Sequence, residues 1–82
     1  MHAQTKEVCM YFHQYLQWLQ ETKELTRRTM YEGLEIDEST LSYWFTASRR
    51  PQTKTIAKVV NHFHSTHKER MKALEIIFYG LS

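Results

Sequence analysis

Cysteine, proline, glycine and long apolar runs are all scarce in this 82-residue sequence. The single cysteine, Cys9, excludes an internal disulfide and fits a reducing compartment. One proline and two glycines leave little chain-breaking material, which points to a helical domain and away from a disordered chain. The longest strictly apolar runs, such as Ile76 to Tyr79, fall far short of the roughly 20 residues that span a bilayer. The opening MHAQTKEV has no charged segment followed by an apolar one, so it does not read as a secretion signal. The expectation is a soluble, cytoplasmic protein with no membrane partner, nucleoid-associated if it binds DNA. Strong charge of one sign is also missing: a net +2 does not mark a nucleic-acid binder by itself, and the distribution of basic residues has to carry that argument.

What the sequence does hold is core material. Hydrophobic residues make up 41% and charged residues 24%, with two Trp, five Tyr, four Phe and four Met. This supports one domain, residues 1–82, near the lower size limit for an unaided core. Along 6–22, apolar residues at Val8, Phe12, Tyr15, Leu16 and Leu19 recur every three or four positions and predict a first helix with Thr5 as N-cap. Tyr11 and Trp18 widen that face, either as a broader core contact or as a surface for a partner. Thr26 can cap a second helix running to about Leu34, with Met30 and Leu34 inward and Leu25 packing just before it. Glu35-Ile36-Asp37 makes a short connection, and Asp37 caps a third helix, Glu38 to about Ala47, with Leu41, Trp44 and Phe45 inward. Pro51 disfavours helical geometry at Arg50 and enforces a stop after Ser48-Arg49-Arg50. A fourth helix follows, capped by Thr53, with Ile56, Val59, Val60 and Phe63 inward. A fifth, capped by Ser65 or Thr66 and covering about 66–79, carries Met71, Leu74, Ile77, Phe78 and Leu81 as its stripe. No strand-like alternation or repeat occurs, so the expected class is all-α with five helices.

Two short helices joined by about three residues form the unit that delivers a helix to the DNA major groove, provided that their apolar residues lie on the shared side only. Met30, Leu34, Ile36, Leu41 and Trp44 meet that condition. The stretch Leu25–Phe63 resembles the Cro/repressor-type, XRE-like helix-turn-helix domains of phages and bacterial regulators. The resemblance rests on Leu25-Thr26, Ile36-Asp37-Glu38-Ser39-Thr40-Leu41-Ser42, Trp44, Arg49-Arg50-Pro51 and the Ile56-Ala57-x-Val59-Val60 helix. It implies a lambda-repressor-like fold with 25–63 as its core. It aims Glu38, Ser39 and Ser42 at base edges, with Tyr43 and Thr46 at bases or the sugar-phosphate wall. It gives phosphate contacts to Arg27, Arg28, Arg49, Arg50, Thr53 and Lys54. Three positions depart from the family: Tyr31 stands where a small residue is usual, and Glu35 and Ala47 replace glycines. Gly33 raises the expectation that the first helix of the pair ends early. Glu38 suits either a cytosine amino group or the positive end of the helix dipole.

The expected function is a small sequence-specific DNA-binding regulator, a repressor of the phage or mobile-element kind, acting as a homodimer on a palindromic operator. Met71, Leu74, Phe78 and Leu81 are the candidate dimer surface, with the first helix second; the fifth helix could equally seal the core. The alternative is a helix-turn-helix scaffold that grips a protein, as a phage inhibitor or an adaptor on a regulator. His62, His64 and His67 do not make a metal site, since zinc needs four ligands on a rigid scaffold and Cys9 is the lone thiol. No phosphate loop or activated nucleophile is spaced for catalysis, so no enzyme activity and no cofactor are expected.

Overall fold

A computed structural model describes residues 11–46 and 51–81. Among them are five helices and no strand: α1 (Phe12–Lys23), α2 (Arg27–Leu34), α3 (Glu38–Phe45), α4 (Thr53–Phe63) and α5 (His67–Tyr79). The expected Thr5 cap, Val8 and Ala47 lie outside the described residues.

Each boundary has a local cause. Thr26 and Thr66 cap α2 and α5, their hydroxyls accepting the backbone N–H of Thr29 at 3.1 Å and of Glu69 at 3.2 Å. Asp37 has the extended backbone of a cap (φ −74°, ψ 149°), yet its side chain accepts no capping bond. Thr53 is the first residue of α4 and not its cap; Gln52 takes that place, again with no side-chain bond. α1 and α2 both close on a left-handed glutamate, Glu24 (φ 52°) and Glu35 (φ 58°). The early end expected at Gly33 does not occur, because α2 runs on to Leu34. A Cβ at Gly33 would sit 2.9 Å from Nε2 of His62 on α4, the far end of an exposed ring.

α1 is the central element. It packs on α3 and α5, while α2 packs on α3 and α4 on α5. Phe12, Tyr15, Leu16 and Leu19 are buried along α1 and meet Met30, Leu34, Leu41, Trp44 and Phe45 on one side. Ile56, Val59, Val60, Ala73, Ile76 and Ile77 complete the same core, and Phe12 meets Trp44 edge-on at 5.5 Å. The wide arc of α1 is used within the chain. Trp18 packs beside His64 at 5.9 Å, and the Tyr11 ring lies where a Cβ on Gly80 would come within 3.1 Å. Gly80 is constrained twice, by that contact and by its φ of 83°.

The inward stripe of α5 differs from the expected one. Ala73, Ile76 and Ile77 face the core, Leu74 and Phe78 are half-buried, and Met71 and Leu81 remain 53% and 51% exposed. The periodicity of long side chains was right for Ile77 and missed Ala73, which is too small to register as an anchor yet is fully buried. No helix of the described residues is long and apolar enough to cross a membrane.

Candidate nucleic-acid interface

α2 and α3 are eight residues each and are separated by Glu35, Ile36 and Asp37 alone. Two backbone bonds close the end of α2: Glu35 N–H donates to Glu32 O at 3.2 Å, and Ile36 N–H to Tyr31 O at 3.1 Å. This swings the chain so that Ile36 packs half-buried against the core while Met30, Leu34, Leu41 and Trp44 are buried. Tyr31 is also half-buried against that core. The left-handed backbone at Glu35 is made by a residue with a Cβ, so the turn forms without the glycine that would make it cheapest.

The outer side of α3 carries the residues expected to read bases. Glu38, Ser39 and Thr46 are exposed, Ser42 is half-buried, and Tyr43 is 41% exposed. Thr46 turns its hydroxyl back to donate to Tyr43 O at 3.2 Å, which secures the last turn of α3.

The basic residues divide into distinct settings. Arg27 lies with its guanidinium carbon 4.2 Å above the Phe45 ring, linking the start of α2 to the end of α3. Arg28 is bound to Glu32 at 2.9 Å across one helical turn, which offsets part of its charge. Thr53 and Lys54 are exposed in the first turn of α4. Arg49 and Arg50 lie outside the described residues. Glu35, Asp37 and Glu38 are all exposed around the start of α3, so acidic groups crowd the end of the helix that would approach DNA.

Comparison with family models, curated proteins and solved structures finds no match to this chain.

Two further features lie outside the α2–α3 unit. Met71, Leu74, Phe78 and Tyr79 line an open groove along α5, with Lys68, Lys72 and Glu75 at its edges. The second feature is a buried polar chain that periodicity did not reveal. His64, 1% exposed, joins Tyr15 Oη through Nε2 at 3.0 Å and Glu69 Oε1 through Nδ1 at 3.3 Å. The same Glu69 oxygen accepts from Lys23 Nζ at 3.4 Å, and Arg70 Nε donates to the His64 carbonyl at 3.0 Å. An ionised carboxylate can only accept, so Nδ1 carries the proton toward Glu69 and Nε2 accepts the Tyr15 hydroxyl. Burial lowers the His64 pKa below the ordinary 6.5, against the opposing pull of its bond to Glu69. The hydrogen bond from His64, followed by the charge of Lys23, lowers the Glu69 carboxyl. Burial raises the Tyr15 phenol well above its usual range. The sequence signal was Tyr15 itself, a hydroxyl in the middle of a buried helix face that required a partner. Among the described residues, no group of three or more His, Cys, Asp or Glu is placed to hold a metal ion.

Proposed function

We propose that the protein is a sequence-specific double-stranded DNA-binding regulator with a lambda-repressor-like helix-turn-helix, in which α3 enters the major groove. The observation that carries this reading is the α2–α3 unit itself. Two eight-residue helices meet through three residues, Met30, Leu34, Leu41, Trp44 and Phe45 are buried on the shared side, and the outer face of α3 is left polar apart from Tyr43. Glu38, Ser39, Ser42, Tyr43 and Thr46 contact bases or the groove wall in this reading. Arg27, Arg28, Arg49, Arg50, Thr53 and Lys54 hold phosphates. Arg27 is the better placed of the first pair, because stacking on Phe45 leaves its planar N–H edge for a phosphate, whereas Arg28 is shared with Glu32.

One domain of this size reads a half-site, so the working unit is a homodimer on a palindromic site, pairing through Met71, Leu74, Phe78 and Leu81 of the α5 region. Repression follows from occupying a promoter, and no catalytic step or cofactor enters. Anisotropy of a labelled random duplex, read over a salt series, tests the reading. Binding should weaken with salt, each phosphate contact adding about 0.9 to the slope of log affinity against log salt. No affinity even at low ionic strength would remove it.

A second reading, a protein-binding scaffold of the inhibitor or adaptor kind, is favoured by one feature of α3: Tyr43 is exposed on a helix whose start is crowded by Glu35, Asp37 and Glu38. An exposed aromatic among carboxylates suits a basic protein surface better than a phosphate backbone. The same salt series separates the two, since this reading requires no affinity for duplex DNA.

A further inference from the structure

His64 lies in the connection between α4 and α5, and both of its ring nitrogens are engaged, one by α1 and the other by α5. We propose that Tyr15, His64 and Glu69 form a protonation-gated latch that ties α5 to α1 and opens in acid. The proposal is independent of what α3 binds.

With the ring neutral, every polar atom of the latch is matched. Tyr15 O–H donates to Nε2, Nδ1–H donates to Glu69, and Trp18 packs beside the ring. No buried side-chain polar atom of the described residues lacks a partner. Acid adds a proton from solvent to the Nε2 lone pair. Nε2–H then points at the Tyr15 oxygen, and the Tyr15 hydroxyl proton loses its acceptor in a buried setting. The phenol cannot relieve the conflict by ionising, because burial holds its proton more firmly than usual.

Burial is the largest effect against a positive ring, and the hydrogen bond to Glu69 is the largest in its favour. Lys23 from α1 and Arg70 from α5 oppose a positive ring, and only Glu69 from α5 favours it. Glu69 is already shared with Lys23 through the same oxygen. Protonation therefore favours any state in which His64 reaches water, and the first turn of α5 must leave Tyr15 and Trp18 to allow that. The α5 groove, with Met71 and Tyr79 on it, is the surface released or reoriented by this movement.

His64→Gln supplies the decisive comparison, because a Gln amide can accept from Tyr15 and donate to Glu69 yet does not titrate. Amide exchange, corrected for its intrinsic pH dependence, would be followed in both proteins at about pH 7 and about pH 5. The latch requires protection across residues 64–79 to fall by about tenfold in the native protein at acid pH, ahead of α2 and α3, and to persist in His64→Gln. Equal protection at both pH values, a uniform loss over all helices, or the same local loss in His64→Gln would overturn it. If His64→Gln does not fold, the imidazole titration of the native protein decides. A His64 pKa below those of exposed histidines supports the latch, and one at or above them overturns it.

Discussion

Glu35 sits in a left-handed conformation (φ 58°, ψ 45°) that costs an L-residue about 1 kcal/mol or more. Its side chain is exposed, so replacing it loses no core contact. Glu35→Gly should raise stability by roughly 1 kcal/mol in urea unfolding at unchanged slope, and a loss of stability would show that Glu35 is doing something the backbone does not reveal. Gly33 poses the opposite problem. A Cβ there meets only the tip of the exposed His62 ring, which can swing aside, so Gly33→Ala should gain up to about 1 kcal/mol of helix propensity. Denaturation beside the parent would check it. His64 sets the pH dependence. Its folded pKa lies below the unfolded 6.5, so the unfolded chain binds more protons in acid. The His64 contribution is fully present above pH 6.5 and is lost as pH falls toward the folded value. Glu69, also lowered, adds a loss in the same direction at still lower pH. Tyr15 acts at the other end: its raised pKa takes stability away as pH climbs past 10.0. A plot of melting temperature against pH should fall on both sides, and a curve flat below pH 6.5 would contradict the assignment.

At the scale of elements, what was legible in the sequence followed from periodicity and caps. Met30, Leu34, Leu41 and Trp44 are large, apolar and spaced by three and four, so α2 and α3 emerge with their inward faces correct. Thr26 and Thr66 announce the starts of α2 and α5 because a hydroxyl before an apolar stripe has few other uses. The fifth stripe was legible in part: Ile77 is buried and Leu74 and Phe78 pack against the core, but Ala73 and Ile76 were missed, while Met71 and Leu81 stay in solvent. His64 was illegible because a buried histidine follows no period and its partner Tyr15 is 49 positions away. The face of α3 was legible as a set of exposed polar residues, but what it touches is not written in spacing. Glu38 is the sharpest test of that face. If it accepts from a cytosine amino group, Glu38→Gln should change base preference at one position of the bound site by about 1–3 kcal/mol. Unchanged preference at every position would leave it as a helix-dipole residue only.

For the molecule as a whole, the charge balance and the exposed groove belong together. On the proposed DNA-binding reading, a net charge of +2 gives a single copy little hold on a duplex, and that reading therefore calls for two copies on one site. Met71 and Leu81 are exposed enough to be changed without opening the core. Met71→Glu with Leu81→Glu should therefore leave the melting temperature nearly unchanged while shifting sedimentation from dimer to monomer. A variant that stays dimeric would move the interface away from α5. Selection of bound sequences from a random duplex library decides whether α3 reads duplex DNA as one of a symmetric pair. A palindrome whose half-sites are centred about one helical turn, ~34 Å, apart should be enriched, and that enrichment should be lost when Ser39 and Ser42 are both replaced by Ala. A library that emerges unenriched from a folded protein would contradict that reading.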